Sequence, residues 1–417
     1  MSRGSLAVAA FSTIVEWYDF TLYLYFATVL SRVFFGGDKA ALATTLAGFA
    51  IAYLLRPLGA IVFGHVGDRF GRRRMMLLSV AIMTLTMLGT ALLPTHARIG
   101  GLAGWLLFLL RGVMGFSVGG EYSVVVAYML EGAPRSRRGL ITSLASAASE
   151  IGGLLAVGLS ALTVSVVSAT ALEAWGWRIP FLFGAGLAAS VWIARATMEE
   201  SPEFRRQQIA GTVPLKPLYY TLLNHRAGIA RSFAISALGS ITYYVGITYV
   251  PAFLTSTGSF GEGESLWLSA VAALAVILVT PVTGALSDRF GRKPVLAVLT
   301  AAGALLSIPL FSTMSGNSGP WALFGAIVLA LIAGGVSAVG AVATAEQFPG
   351  EGRLTGLALG ATSATAIFGG ATPYIAQILM DRTGMPLIPG IMITAVAFAF
   401  LPVLAALPET FPGKTED

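Results

Sequence analysis

Gly64-His65-Val66-Gly67-Asp68-Arg69-Phe70-Gly71-Arg72-Arg73 recurs later in the chain as Gly284-Ala285-Leu286-Ser287-Asp288-Arg289-Phe290-Gly291-Arg292-Lys293. Each copy is a short basic loop between two long apolar runs, so the arrangement built around the first copy is built again around the second. Another pattern repeats in step with it. Glu131-Gly132-Ala133-Pro134 leads to Arg138, and Glu346-Gln347-Phe348-Pro349 leads to Arg353. Two motifs recurring at matching places mark a chain made of two related halves. Such repeats are typical of transporters whose substrate site lies at the interface between repeats.

Composition names the solvent in which these halves fold. Of 417 residues, 56% are hydrophobic and only 11% are charged, whereas a soluble domain carries about 25% charged residues. That is too few to coat a water-facing surface, so lipid must cover most of the outside. A helix needs about 20 apolar residues to cross the hydrocarbon core. Runs between charged or Pro/Gly-rich breaks predict an all-α membrane protein with spans near 7–33, 41–66, 75–95, 104–131, 139–168 and 177–197. A second set follows near 229–256, 265–288, 293–314, 320–346, 354–381 and 386–408. A polar cytoplasmic linker, 198–228, separates an N-terminal six-helix bundle, 1–197, from a C-terminal one, 229–417. The first run is far longer than a signal-peptide core and lacks a clear cleavage site, so it stays as the first anchor.

The basic residues orient these spans. One side of the membrane collects Arg3, Arg69, Arg72, Arg73, Arg74, Arg135, Arg137, Arg138, Arg195, Arg205, Arg206, Lys216, Arg226, Arg231, Arg289, Arg292, Lys293, Arg353 and Lys414. The other holds only Arg32, Lys39, Arg98, Arg178 and Arg382. The positive-inside bias places both termini in the cytoplasm and the chain in a cell inner membrane. The net charge of +6 is therefore topology and contact with anionic lipid heads, not a nucleic-acid footprint. There is no cysteine, and the three histidines are far apart, which excludes disulfides, thiolate metal sites and His-rich metal motifs. With no Ser/His/Asp set and no phosphate loop either, neither an enzyme nor a cofactor is expected.

The duplicated G-x-x-x-D-R-x-G-R-[RK] loops resemble the signature of the major facilitator superfamily. Several segments resemble its metabolite:proton symporter family more narrowly. These are Glu16-Trp17-Tyr18-Asp19-Phe20, Arg56-Pro57-Leu58-Gly59, Gly115-Phe116-Ser117-Val118-Gly119-Gly120-Glu121-Tyr122, Trp175-Gly176-Trp177-Arg178-Ile179-Pro180 and Glu200-Ser201-Pro202-Glu203-Phe204. The resemblance implies twelve transmembrane helices in two pseudo-symmetric six-helix bundles, alternating access and coupling to inward proton flow. Members of that family carry citrate, 2-oxoglutarate, shikimate or proline and betaine. It further implies that Asp68, Arg69, Arg72, Asp288, Arg289 and Arg292 form cytoplasmic gates with Glu131 and Glu346. The chain departs from the family at Met114, where Gln is common, and at Glu150.

Charged residues at membrane depth are the sharpest functional signal, because each costs about 2.5–3.5 kcal/mol on insertion scales and normally faces a cavity or a partner. Glu16 and Asp19 lie on the first span, Arg56 on the second, Arg111 and Glu121 on the fourth and Glu150 on the fifth; Arg32 lies near the outer edge of the first. At about 1.5 Å of rise per residue, depth pairs Asp19 with Arg111, and Glu16 with Arg56 or Glu121. Glu16 and Asp19, at i and i+3, share a helix face. A neighbouring acid favours the protonated form of a buried carboxylate, and a neighbouring Arg favours the ionised form. Glu16, Asp19, Arg56, Glu121 and Glu150 are accordingly the expected proton-coupling set.

Arg111 is the expected substrate anchor, since a guanidinium grips a carboxylate bidentately and stays charged. Tyr18, Tyr122, Tyr243, Tyr244 and Gln377 are expected to supply neutral contacts, with Tyr249 and Tyr374 as further candidates. The reading is a monomeric secondary transporter in the lipid bilayer that moves a small mono- to tricarboxylic acid with protons. A carrier of a zwitterion such as proline or betaine, or a uniporter, is the alternative.

Overall fold

The computed structural model describes residues 3–410 apart from 38–40, 120, 214–215, 251–252, 255–256, 258–259, 261 and 317. Side chains are not described at 3, 24–25, 27–28, 41–43, 46–47, 49–50, 157, 161, 165, 262–263, 266–267, 269, 374, 377 and 381. The fold is all-α, with twelve membrane-spanning segments in two six-helix halves. In chain order the helices that matter here are α1 Arg3–Tyr25, α2 Ala27–Phe35, α3 Ala41–Phe70, α4 Arg72–Leu92, α5 Leu102–Val118, α6 Glu121–Gly132, α7 Arg138–Val166 and α8 Arg178–Ala196. After the short linker helix α9, Pro202–Ala210, come α10 Arg226–Tyr243, α11 Glu262–Phe290, α12 Arg292–Met314, α13 Gly319–Ala345, α14 Arg353–Leu357, α15 Thr372–Thr383 and α16 Ile388–Ala406. Among the described residues, eight helices are long and apolar enough to cross a membrane. The remaining spans are interrupted or include residues outside the described set.

Breaks occur where apolar runs alone gave no sign of them. The first span divides at Phe26 into α1 and α2. Near the seventh and eleventh spans, π-turns occupy Tyr244–Thr248, Ala358–Thr362 and Ala366–Gly370. Such widened turns are frequent at functional sites. The linker is not featureless either: Ser201 accepts a hydrogen bond from the Phe204 N–H and starts α9, with Pro202 in its first turn.

The repeated loops have a common geometry. Gly71 and Gly291 adopt φ values of 109° and 99°, a region open to glycine at little cost, and each opens the next helix after a one-residue turn. The N-terminus of that helix then receives a carboxylate. Glu200 accepts from the Arg72 N–H at 3.0 Å, and Glu409 accepts from the Arg292 N–H at 2.9 Å, where helix-terminal amides and the helix dipole favour a negative charge.

The described residues gather into two compact units. One comprises Met1–Gly132, Ala148–Leu218 and Gly350–Ala358; the other comprises Ala133–Ala147, Tyr219–Pro349 and Leu359–Asp417. In the first unit α3 crosses α5 closely, and α4 packs on α8. The α3–α5 crossing depends on small residues: a Cβ at Gly59 would strike the Phe116 carbonyl, and one at Gly115 or Gly119 would strike the backbone of Ala52 or Arg56. This is the close approach that Gly-x-x-x-Gly spacing permits in a membrane. Its core includes Tyr18, Tyr23, Phe34, Met83, Met87, Leu107, Trp177 and Phe181. The second unit packs Val245, Phe253, Phe311, Leu329 and Ile393 around α10, α12, α13 and α16.

Candidate substrate and proton site

Within the first unit, α1, α3, α5, α6 and α8 bring six charged side chains into the interior. Glu16, Asp19, Arg56, Arg111, Glu121 and Arg195 are all buried. Arg111 holds Asp19 with a two-pronged grip: Nη1 donates to Oδ2 at 2.8 Å and Nη2 to Oδ1 at 3.2 Å. This is the pair that helix depth predicted. Glu16 lies 3.5 Å from the Arg56 guanidinium, and Glu121 pairs with Arg195. Of the two partners that depth allowed for Glu16, Arg56 is in ion-pair contact with it.

The three pairs differ in how firmly they are made. Both oxygens of Asp19 accept hydrogen bonds. Glu16 meets Arg56 at the longer distance of 3.5 Å, and its Oε2 accepts no hydrogen bond among the described residues. Arg56 is also flanked by rings, its guanidinium carbon 4.5 Å from the Phe20 centroid and 5.0 Å from that of Tyr53. Arg111 sits 5.2 Å from the Tyr23 ring, whose hydroxyl donates to the Thr45 carbonyl at 2.7 Å. A small cavity of about 20 Å³ lies among Asp19, Phe20, Tyr23, Ala52, Arg56, Arg111, Met114, Gly115 and Val118. It has room for a water molecule, not for a carboxylic acid. Met114 forms part of its wall and receives a contact from the Thr86 hydroxyl at 3.5 Å.

Other expected site residues are distributed differently. Glu150 is buried on α7. The Tyr18 ring belongs to the apolar core of the unit, and its hydroxyl donates to the Pro180 carbonyl at 2.8 Å, so that hydroxyl serves helix packing. Tyr122 is half-buried on α6. In the second unit the Tyr243 and Tyr244 rings stand edge to face, 5.4 Å apart, and the Tyr249 hydroxyl contacts the Met380 sulfur. Tyr374 and Gln377 fall on α15, but their side chains lie outside the described residues. Arg32 forms an exposed pair with Glu173.

The residues expected at the cytoplasmic gates form two clusters of one design. In the first unit Arg72 reaches Glu131 at 3.2 Å, Asp68 at 3.4 Å and the Gly350 carbonyl at 2.8 Å. Asp68 accepts from the Leu354 and Thr355 N–H groups at 3.3 and 2.9 Å, capping α14, while Arg353 donates to Glu131 at 2.7 Å. In the second unit Arg292 binds Asp288 at 2.8 Å and Glu346 at 3.2 Å, and Asp288 accepts from the Gly139 and Leu140 N–H groups at 2.7 and 2.8 Å, capping α7. Arg69 and Arg289 stand apart from both clusters. They are exposed and lie over the neighbouring rings of Phe70 and Phe290.

Three elements escaped the sequence reading. Arg195, grouped there with the cytoplasmic cations, turns into the protein and is fully buried. Arg353 completes the Glu131 cluster. Glu200 and Glu409 cap the helices that follow the repeated loops. The last pair had a readable signal, since Glu200-Ser201 and Glu409-Thr410 follow the sixth and twelfth spans in matching positions.

A membrane-embedded set of paired charges on duplicated six-helix halves defines a transporter of small solutes. Comparison with known proteins agrees. Residues 6–210 match the family described as Sugar (and other) transporter, and residues 235–417 match the Major Facilitator Superfamily. The chain is 34% identical over 376 residues to the alpha-ketoglutarate permease of Escherichia coli K12, covering 89% of this chain and 86% of that one. It is 31% identical over 442 residues to the ectoine/proline transporter ProP of Corynebacterium glutamicum, covering 99% and 88%. Its fold also matches the solved proton:xylose symporter XylE, with a TM-score of 0.79 at 19% identity over 98% and 96% of the two chains. The protein belongs to the major facilitator superfamily and, within it, to the metabolite:proton symporter family; it is a multi-pass membrane transporter, not an enzyme.

Proposed function

We propose that the protein is a proton-coupled symporter of a small organic acid, a mono- to tricarboxylate, working in a cell inner membrane with both termini in the cytoplasm. The observation that carries this reading is the two-pronged hold of Asp19 on Arg111. A substrate carboxylate has the same shape and charge as Asp19, so it competes for the same guanidinium fork. An Asp19 displaced as an anion would remain buried without a partner, which is costly. A proton on Asp19 removes that cost. Anion and proton then enter together, and the charge of the interior is unchanged.

Glu16 is the first proton acceptor in this scheme. It is the loosely held acid, one helical turn from Asp19, and one of its oxygens receives no hydrogen bond among the described residues. Because the cavity beside Arg111 holds little more than a water, its walls must part to admit substrate, as alternating access requires. The Asp68/Arg72/Glu131/Arg353 and Asp288/Arg292/Glu346 clusters bias that motion. Gating needs only a few kcal/mol between states, which is within reach of several part-buried ion pairs.

A zwitterion is the second reading. The rings of Phe20, Tyr23 and Tyr53 beside two carboxylates would suit an ammonium group, and one relative is named for ectoine and proline. Uptake of labelled 2-oxoglutarate, citrate, shikimate, proline and betaine into proteoliposomes with an alkaline interior separates the readings. Uphill, protonophore-sensitive uptake of an acid is expected. Accumulation confined to proline or betaine, or saturable flux indifferent to the protonophore, contradicts the proposal.

A further inference from the structure

We propose that Arg195 is a positioning residue of the proton route, acting on Glu16 through Glu121; this rests on the reading of Glu16 as proton acceptor. Arg195 lies near the cytoplasmic end of α8, where a long basic side chain ordinarily reaches out to lipid headgroups. Here it is fully buried instead. Its Nη1 donates to the Met76 carbonyl of α4 at 2.7 Å, and its Nη2 contacts both Ser12 of α1 and Glu121 of α6. One guanidinium therefore joins four helices.

A simple brace would leave its partners satisfied. Among the described residues, however, Glu121 Oε2 accepts no hydrogen bond and the Arg195 Nε donates none. Ser12, which Arg195 touches, lies one helical turn before Glu16 on α1. The charged groups acting on Glu16 are Arg56 from α3, Glu121 from α6 and Arg195 from α8. Asp19 shares its helix face, and buried Glu150 lies on α7, which packs on α1 where Gly152 meets the Ile14 carbonyl. With Arg195 present, the negative charge of Glu121 is offset. Without it, the uncompensated charge of Glu121 would act on Glu16. The route would then lose the single defined station that symport needs.

The test needs no knowledge of the substrate. Infrared titration of the purified full-length protein in lipid follows the band of protonated carboxyls, and loss of a component in Glu16→Gln assigns it to Glu16. In Arg195→Gln the uncompensated Glu121 should raise the Glu16 titration midpoint by about one pH unit. In Glu121→Gln the uncompensated guanidinium should lower it by a similar amount. The neutral Arg195→Gln/Glu121→Gln pair should restore the midpoint, as should Arg195→Lys. If Arg195→Gln does not fold, the fall in Glu121→Gln and its reversal in the double variant still decide. Midpoints that stay in place, or that move the same way in both single variants, overturn the role of Arg195. Absence of any component lost in Glu16→Gln removes Glu16 as proton acceptor, and this inference with it.

Discussion

Asp19 and Arg111 occupy each other fully, with two hydrogen bonds of 2.8 and 3.2 Å between groups that are both almost entirely buried. Removing one member of such a pair strands the other charge, at a cost of about 3–5 kcal/mol. Arg111→Ala is therefore expected to lower the melting temperature of the purified protein markedly. Asp19→Asn combined with Arg111→Gln removes both charges and should recover most of that loss. Thermal unfolding of these two variants and the unaltered protein in one detergent checks the sign and the recovery.

Glu131 binds Arg72 and Arg353 together. Glu131→Gln should loosen the segment Gly350–Ala358 from α3 and expose Thr355, which is fully buried beside Asp68. Because the chain has no cysteine, Thr355→Cys is a clean reporter. Its maleimide labelling should rise several-fold when Glu131→Gln is added, while an unchanged rate would deny the cluster a latching role.

Glu200 and Glu409 cap equivalent helices in separate compact units and share no hydrogen-bond partner in the described structure. Losing a cap costs about 1 kcal/mol, and independent sites add. Glu200→Ala and Glu409→Ala should each destabilise modestly, and the double variant by their sum, as measured by chemical unfolding in mixed micelles. A strongly non-additive double would indicate that the two caps are coupled.

The eight long apolar helices were readable because bilayer thickness fixes how long an apolar run must be. The partner of Asp19 was readable as well, because helix depth is set by residue count. The fate of Arg195 was not. A basic residue a turn from the membrane edge can reach outward or inward, and only the positions of Ser12, Met76 and Glu121 on three other helices decide. The π-turns at Tyr244–Thr248 and Ala358–Thr362 were hidden for a related reason: neighbouring helices, not local composition, set such widened turns. Tyr18 carried the resemblance but packs in the core, since residue type alone does not reveal that its hydroxyl is taken by the Pro180 carbonyl.

The most direct test of competition for Arg111 is the pH dependence of substrate affinity. Calorimetry with whichever acid the proteoliposomes accumulate should show binding that weakens as pH rises in the unaltered protein, because an ionised Asp19 keeps Arg111 occupied. In Asp19→Asn, binding should persist and become nearly independent of pH. Binding abolished in that variant, or binding that keeps the original slope, would contradict the exchange of Asp19 for a substrate carboxylate.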